Sequence, residues 1–204
     1  MNGYSLPGED WFSRNIPSWQ QIFQRAGAPR SVLEIGAYEG RSTVWIAENL
    51  LAPGGELVVV DNWQGNARET ADMAEVEARF DANLASLRRK VPAARVSKLK
   101  AASTAALPRL LADGRAGSFD FVYVDGSHSA PDVLSDAVHA FLLVRPGGLI
   151  GFDDYGWRRY ADVNENPTAA IDAFSNIYWK QLEIVSGGYQ AFFRKVPGAA
   201  LQSD

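Results

Sequence analysis

The 204-residue chain contains no cysteine, which excludes a disulfide framework, a thiolate zinc site, an iron–sulfur cluster and a cysteine nucleophile. Histidine is nearly as scarce, with only His128 and His139 present. Metal chemistry must therefore rest mainly on carboxylate oxygens, which favour hard ions such as Mg²⁺, Mn²⁺ or Ca²⁺. Long apolar runs are missing too: stretches such as Ala140 to Val144 fall far short of the roughly 18 residues of a membrane span. Before Arg14 there is neither a positive side chain nor an apolar block, so the amino terminus does not read as a signal peptide. A basic run is also lacking. Twenty Lys and Arg against twenty-four Asp and Glu leave a net charge of −4, with no stripe to track a phosphate backbone. These absences point to a cytoplasmic protein with neither nucleic acid nor membrane as partner.

What remains is ordinary globular material. Apolar residues make up 47% and charged residues 22%, close to the averages of roughly 45–50% and 25%, and the length suits one α/β domain. Short apolar runs alternate with helical patterns. Ser31 to Ile35, Glu56 to Asp61, Arg95 to Leu99, Phe119 to Val124 and Leu149 to Phe152 read as strands; unalternated runs such as Leu57-Val58-Val59-Val60 mark strands covered on both faces. Between and after them, helices are expected at about Arg41–Leu51, Glu69–Lys90, Thr104–Ala112, Pro131–Leu143 and Thr168–Tyr178. Gln181 to Val185 and Gln190 to Arg194 flank Ser186-Gly187-Gly188 and read as a closing hairpin. Crossovers of this length make a doubly wound, largely parallel sheet, in which ligands sit beyond the carboxyl ends of the strands. Glu34, Gly36, Asp61, Asp125, Asp153 and Asp154 all fall at or near those ends.

Glu34-Ile35-Gly36-Ala37-Tyr38-Glu39-Gly40 supplies glycines where the backbone must turn tightly and approach a ligand. It is not a dinucleotide fingerprint, because Tyr38 and Arg41 stand where G-x-G-x-x-G needs its later glycines. Asp61 closes the next strand, where a carboxylate can accept both hydroxyl hydrogens of a ribose or merely cap a turn.

With Val58-Val59-Val60-Asp61, Val122-Tyr123-Val124-Asp125-Gly126-Ser127-His128 and Arg145-Pro146-Gly147-Gly148-Leu149-Ile150-Gly151-Phe152-Asp153-Asp154-Tyr155, the glycine segment resembles class I S-adenosylmethionine-dependent methyltransferases. The likeness is greatest to the small divalent-metal-dependent O-methyltransferases of bacterial natural-product pathways. It implies a doubly wound, mostly parallel seven-stranded sheet with a carboxyl-terminal antiparallel hairpin. It divides the chain into a helical or lid segment over 1–30, a methyltransferase domain over 31–196 and a tail over 197–204. Glu34, Gly36 and Gly40 would then belong to the S-adenosylmethionine site, Asp61 would bind the ribose, Asn62 or Trp63 would lie beside the adenine, and Ser103 would touch its edge or cap the following helix. Asp125 is counted at the cofactor, at the ion and as a candidate base.

Asp125, Asp153 and Asp154 are the implied ligands of Mg²⁺ or another divalent cation, since three neighbouring carboxylates repel unless a cation or protons intervene. Successive strand residues point to opposite faces, so Asp153 and Asp154 can share an ion only if the chain leaves the strand there; otherwise one caps a loop and the other faces water. His128 resembles the family's histidine that takes a proton from the acceptor hydroxyl, or it bonds the loop. His139 reads as structural. The acceptor is expected to be a small molecule bearing a sugar or phenolic hydroxyl, and Trp11, Trp63, Tyr155, Trp157 and Tyr160 either wall it or simply pack. The aromatic amino-terminal segment is a lid, a packed helix or a contact in a homo-oligomer. The competing readings are a nicotinamide-dependent oxidoreductase and a binding protein that keeps the S-adenosylmethionine pocket without transfer.

Overall fold

The computed structural model describes residues 3–65 and 71–198. Its strands form the expected seven-stranded, mostly parallel sheet with an antiparallel carboxyl-terminal hairpin. The chain divides into two compact units, Met1–Ser103 and Thr104–Asp204.

The first unit runs through α1 (Ile16–Ala26), β1 (Ser31–Ile35), α2 (Arg41–Trp45), β2 (Glu56–Asp61), α3 (Met73–Lys90) and β3 (Arg95–Lys100). β2 lies between β1 and β3 and is parallel to both, with Leu33 opposite Val58 and Val59 opposite Lys98. Leu57, Val58, Val59 and Val60 are all buried, as a strand covered on both faces requires. α3 starts at Met73, later than the expected Glu69, because Asp72 is extended and its side chain accepts from the Ala74 N–H at 2.9 Å. Glu69 and Thr70, the expected first residues, lie outside the described residues. The helix expected from Arg41 to Leu51 also changes character. After Trp45 it widens into a π turn, Ile46–Leu50, closed by the Leu51 N–H on the Ile46 carbonyl at 2.8 Å.

Of the alternatives for the amino-terminal segment, helix α1 takes the packed one. Trp19 is fully buried, edge-on to Phe12 at 5.2 Å and to Trp45 at 5.7 Å between ring centres.

The second unit contains α4 (Ser103–Ala112, whose first residue closes the first unit), β4 (Phe119–Val124), α5 (Ala130–Leu143), β5 (Val144–Phe152), α6 (Pro167–Ile177), β6 (Leu182–Ser186) and β7 (Ala191–Lys195). β4 and β5 are parallel, and β7 runs antiparallel to both β5 and β6. β5 begins five residues before the expected Leu149, so Arg145-Pro146-Gly147-Gly148 does not interrupt it. Glycine is what permits this: a Cβ on Gly148 would lie 2.8 Å from the Asp120 carbonyl oxygen of β4, a contact no side chain tolerates. The pairing slips between Phe119 and Phe121 to absorb the irregularity. Among the described residues no helix is long and apolar enough to cross a membrane.

Candidate active site

The glycine segment is moored to the end of β2. Gly36 and Gly40 have φ of +86° and +87°, and Tyr38 shares the left-handed region at +52°. This puts the N–H groups of Ala37 and Tyr38 2.8 and 3.1 Å from Asp61 Oδ2, while the Trp63 N–H donates to Oδ1 at 2.7 Å. A carboxylate oxygen carries two acceptor sites, so Oδ2 is filled by its two N–H donors and Oδ1 keeps one site, enough for one ribose hydroxyl. A Cβ on Gly40 would meet the Phe80 ring at 3.0 Å. Trp63 is buried against Phe80 at 4.8 Å between ring centres, with its indole N–H on the Tyr38 carbonyl at 2.9 Å. Asn62 accepts from the Gln64 N–H at 2.8 Å, and Ser103 opens α4.

Glu34 is completely buried, and its two oxygens accept from the hydroxyls of Ser42 and, at 2.6 Å, Thr43. The bonds tie the end of β1 to α2, so the carboxylate serves the loop from within. Burial pushes its pKa from 4.5 to about 7; the hydroxyl donors oppose this and the charge of Asp61 adds to it. Between those two values the folded chain holds a proton that the unfolded chain has released. The contribution of Glu34 to stability is therefore greatest below pH 4.5, falls as pH rises to about 7, and is flat above. The loss across that window is on the order of 3 kcal/mol. Urea unfolding of Glu34→Gln at pH 5 to 8 is expected to lack this fall, whereas the parent protein shows it.

A strap of residues ahead of α1 crosses the glycine segment, held by anchors that leave no local sequence pattern. Arg41 donates to the carbonyls of Leu6 and Gly8 at 2.9 and 3.2 Å and pairs with Asp10 at 3.2 Å. Asn83 exchanges two hydrogen bonds with the backbone of Ser5 at 2.7 and 2.8 Å. The Gly8 N–H reaches Glu39 at 3.0 Å, and Glu39 is held in turn by Arg79 at 2.6 Å. Trp11, half exposed, sits 5.4 Å from the Tyr38 ring.

In the second unit, Asp125, Asp153 and Asp154 each present an oxygen within 4.8 Å of the others. Strand geometry no longer constrains them, because β5 ends at Phe152 and the chain then turns, with the Trp157 N–H on the Asp154 carbonyl at 3.1 Å. Asp153 is buried and its Oδ1 accepts from the Tyr123 hydroxyl at 2.8 Å and from the Gln190 amide. Asp154 meets His128 Nε2 at 3.0 Å and the Tyr189 hydroxyl at 3.4 Å. The His128 ring stacks on Trp157 with centres 4.7 Å apart, and Trp157 meets Tyr160 at 5.0 Å. A pocket lined by Asp125, Ser127, Val133, Asp154, Pro167 and Ile171 opens beside the cluster. The donor set fits a hard divalent ion: three carboxylates, all oxygen, crowded enough to repel one another without a cation. His139 bonds the Ser135 carbonyl at 2.7 Å inside α5, a structural contact.

A family model described as a methyltransferase domain matches residues 33–155. No curated protein sequence matches the chain. The chain is similar in fold to an O-methyltransferase from Bacillus cereus solved with SAH (TM-score 0.63, 21% identity, 93% of this chain and 83% of that one). It is also similar to the O-methyltransferase TomG from Streptomyces achromogenes, involved in tomaymycin synthesis and solved with SAM (0.59, 22%, 89% and 80%). The MycE methyltransferase of the mycinamycin biosynthetic pathway, solved with Mg and SAH, is similar over 93% of this chain and about half, 51%, of its own (0.58, 20%).

Proposed function

Because the chain belongs to the methyltransferase-domain family, we propose that it is a cytoplasmic O-methyltransferase that moves the methyl group of S-adenosylmethionine to a sugar or phenolic hydroxyl of a small molecule, assisted by a divalent cation such as Mg²⁺. The observation that carries the reading is the convergence of Asp125, Asp153 and Asp154, with His128 bonded to the last of them. The solved relatives with SAM, SAH or Mg support it.

In this reading Asp61 would accept a ribose hydroxyl at the site left on Oδ1, and the glycine segment it moors would allow close approach of the backbone to the cofactor. The three aspartates would hold the ion, which when bound would supply positive charge that favours deprotonation of the acceptor hydroxyl. His128 receives the proton at a ring nitrogen, and its stack on Trp157 and contact with Asp154 fix the ring. Trp157 and Tyr160 offer a flat wall to the acceptor. Transfer is an in-line displacement at the sulfonium carbon: the acceptor oxygen forms a bond to the methyl as the carbon–sulfur bond breaks, leaving S-adenosylhomocysteine. Positioning and deprotonation of the nucleophile are the catalytic tasks.

The test is calorimetric titration with S-adenosylhomocysteine, followed by turnover of S-adenosylmethionine against catechols and sugars with Mg²⁺ and after chelation. Micromolar binding and Mg²⁺-dependent methyl transfer are expected. A protein that binds NADH and ignores S-adenosylhomocysteine would instead be an oxidoreductase, and binding without transfer to any acceptor would favour a non-catalytic role.

A further inference from the structure

Asn166 stands at the head of α6 in the extended conformation of a helix-capping residue, with φ −80° and ψ 153°, yet its side chain makes no capping bond to the helix. An asparagine in that place ordinarily accepts from an N–H of the first turn. α6 begins without that help: Pro167, in its first turn, has no N–H to satisfy, and the Ala169 N–H goes to the Asn166 carbonyl at 3.1 Å. The side chain turns back into the preceding loop instead. Buried at 3% exposure, it accepts from the Tyr160 N–H at 3.1 Å through Oδ1, and through Nδ2 it donates to the carbonyls of Tyr160 at 3.2 Å and Asp162 at 3.0 Å. The Thr168 hydroxyl holds the start of the same loop, donating to the Tyr155 carbonyl at 2.6 Å. Between these two ties lies Trp157, whose ring meets Tyr160 at 5.0 Å and stacks on His128 at 4.7 Å. Pro167, next to Asn166, lines the pocket beside the aspartates.

We propose that Asn166 is a positioning residue for the acceptor half of the site: by fixing the backbone of Tyr160 it holds Trp157 on the ring of His128, and so sets how efficiently an acceptor hydroxyl is presented to the base. This role rests on the proposed reading of His128 as the base and Trp157 as the acceptor's wall. A capping side chain would stabilise α6 whatever the loop did, whereas one that accepts from a loop N–H and donates to two loop carbonyls acts on the loop. The stack on His128 is made by side chains, and the loop backbone decides where they stand. A displacement of about 1 Å at a reacting group can cost about 100-fold in rate even when its cause is remote from the chemistry. Aspartate separates the two roles. It caps helices as well as asparagine does, but it has no N–H to give the carbonyls of Tyr160 and Asp162 and sets a carboxylate against them.

The experiment compares the full-length parent with Asn166→Ala, Asn166→Asp and Trp157→Leu by thermal melting, by titration with S-adenosylhomocysteine, by NMR of the histidine ring protons, and by methyl-transfer kinetics with the catechol or sugar that turns over fastest. The chain has only His128 and His139, so a His128→Ala spectrum assigns the signals. Protons stacked over the Trp157 ring are shifted upfield, and Trp157→Leu gives their position without the stack. Both Asn166 variants are expected to move the His128 signals toward that position and to lower kcat/KM for the acceptor by about 10- to 100-fold, with S-adenosylhomocysteine affinity within a few-fold of the parent. Folded Asn166 variants that keep the parent's His128 signals and kcat/KM overturn the inference and leave the proposed function standing. So does an Asn166→Asp protein that matches the parent while Asn166→Ala does not, because the side chain then serves the helix. A parent whose His128 signals already lie at the Trp157→Leu position overturns the stack and the inference with it. A parent that transfers no methyl group to any acceptor overturns the proposed function, and the acceptor role of Asn166 falls with it. Should Asn166→Ala fail to fold, Asn166→Asp carries the comparison, since it retains a capping side chain.

Discussion

Substituting Asp61 with alanine is expected to weaken S-adenosylhomocysteine binding by more than about 100-fold, because the side chain has two tasks and both are lost together. It is the proposed acceptor for a ribose hydroxyl, and it already accepts the N–H groups of Ala37, Tyr38 and Trp63. Hydrogen bonds to a charged group contribute about 1.5–3 kcal/mol each, so losing the one ribose contact alone costs about one to two powers of ten in affinity. The loop then adds to the loss. With its mooring gone, a segment that holds Tyr38 at φ +52° has less to keep it in a sparsely populated conformation. Cofactor would have to order it on binding. Asp61→Asn, which keeps one acceptor oxygen and the same shape, should fall between the two. Calorimetry measures the affinities and thermal melting the loosened loop; an Asp61→Ala protein that binds S-adenosylhomocysteine like the parent would remove Asp61 from the cofactor site.

Strands whose residues are buried on both faces announce themselves. β1, β2 and β4 occupy the spans that their apolar runs suggest, Ser31–Ile35, Glu56–Asp61 and Phe119–Val124, because such runs end where glycine or an acid meets solvent. The same punctuation placed Asp61, Asp125, Asp153 and Asp154 at strand ends, which made the candidate site readable as a set of positions. Orientation was less accessible. Glu34 and Asp61 are both acids at or next to strand ends, yet one is sealed against Ser42 and Thr43 while the other holds a loop; a strand's period says which face a residue takes but not what waits there. Partners brought by non-local pairing left no local mark at all. Gln190 reaches Asp153 only through the register of β7 on β5, and Tyr123 looks like any aromatic in a buried strand. β5 hid its first five residues for a different reason: Pro-Gly-Gly normally stops a chain, but here the glycines serve close approach to β4.

Two further substitutions separate the ion from the base, and they carry the largest expected effect on rate. Asp154 is placed to do two things: it completes the carboxylate cluster and it meets His128 Nε2 at 3.0 Å. Its replacement by alanine should abolish measurable Mg²⁺ binding and reduce kcat by about 1,000-fold or more, since general-base assistance alone is typically worth 10²–10⁴ and metal activation is lost with it. Replacement of His128 by alanine removes the proton acceptor and leaves all three carboxylates. Its kcat should fall by about 100-fold or more, with Mg²⁺ still bound but about 10-fold more weakly, since Asp154 loses its partner. Neither substitution touches the groups that moor the glycine segment, so S-adenosylhomocysteine affinity should stay within a few-fold of the parent in both. Single-turnover methyl transfer, with Mg²⁺ and S-adenosylhomocysteine titrated separately, distinguishes the cases. If His128→Ala keeps full rate, the proton goes elsewhere, and Asp125 is then the group to replace. If Asp154→Ala keeps both its ion and its rate, Asp154 is not a ligand of the cation, and the ion is held elsewhere.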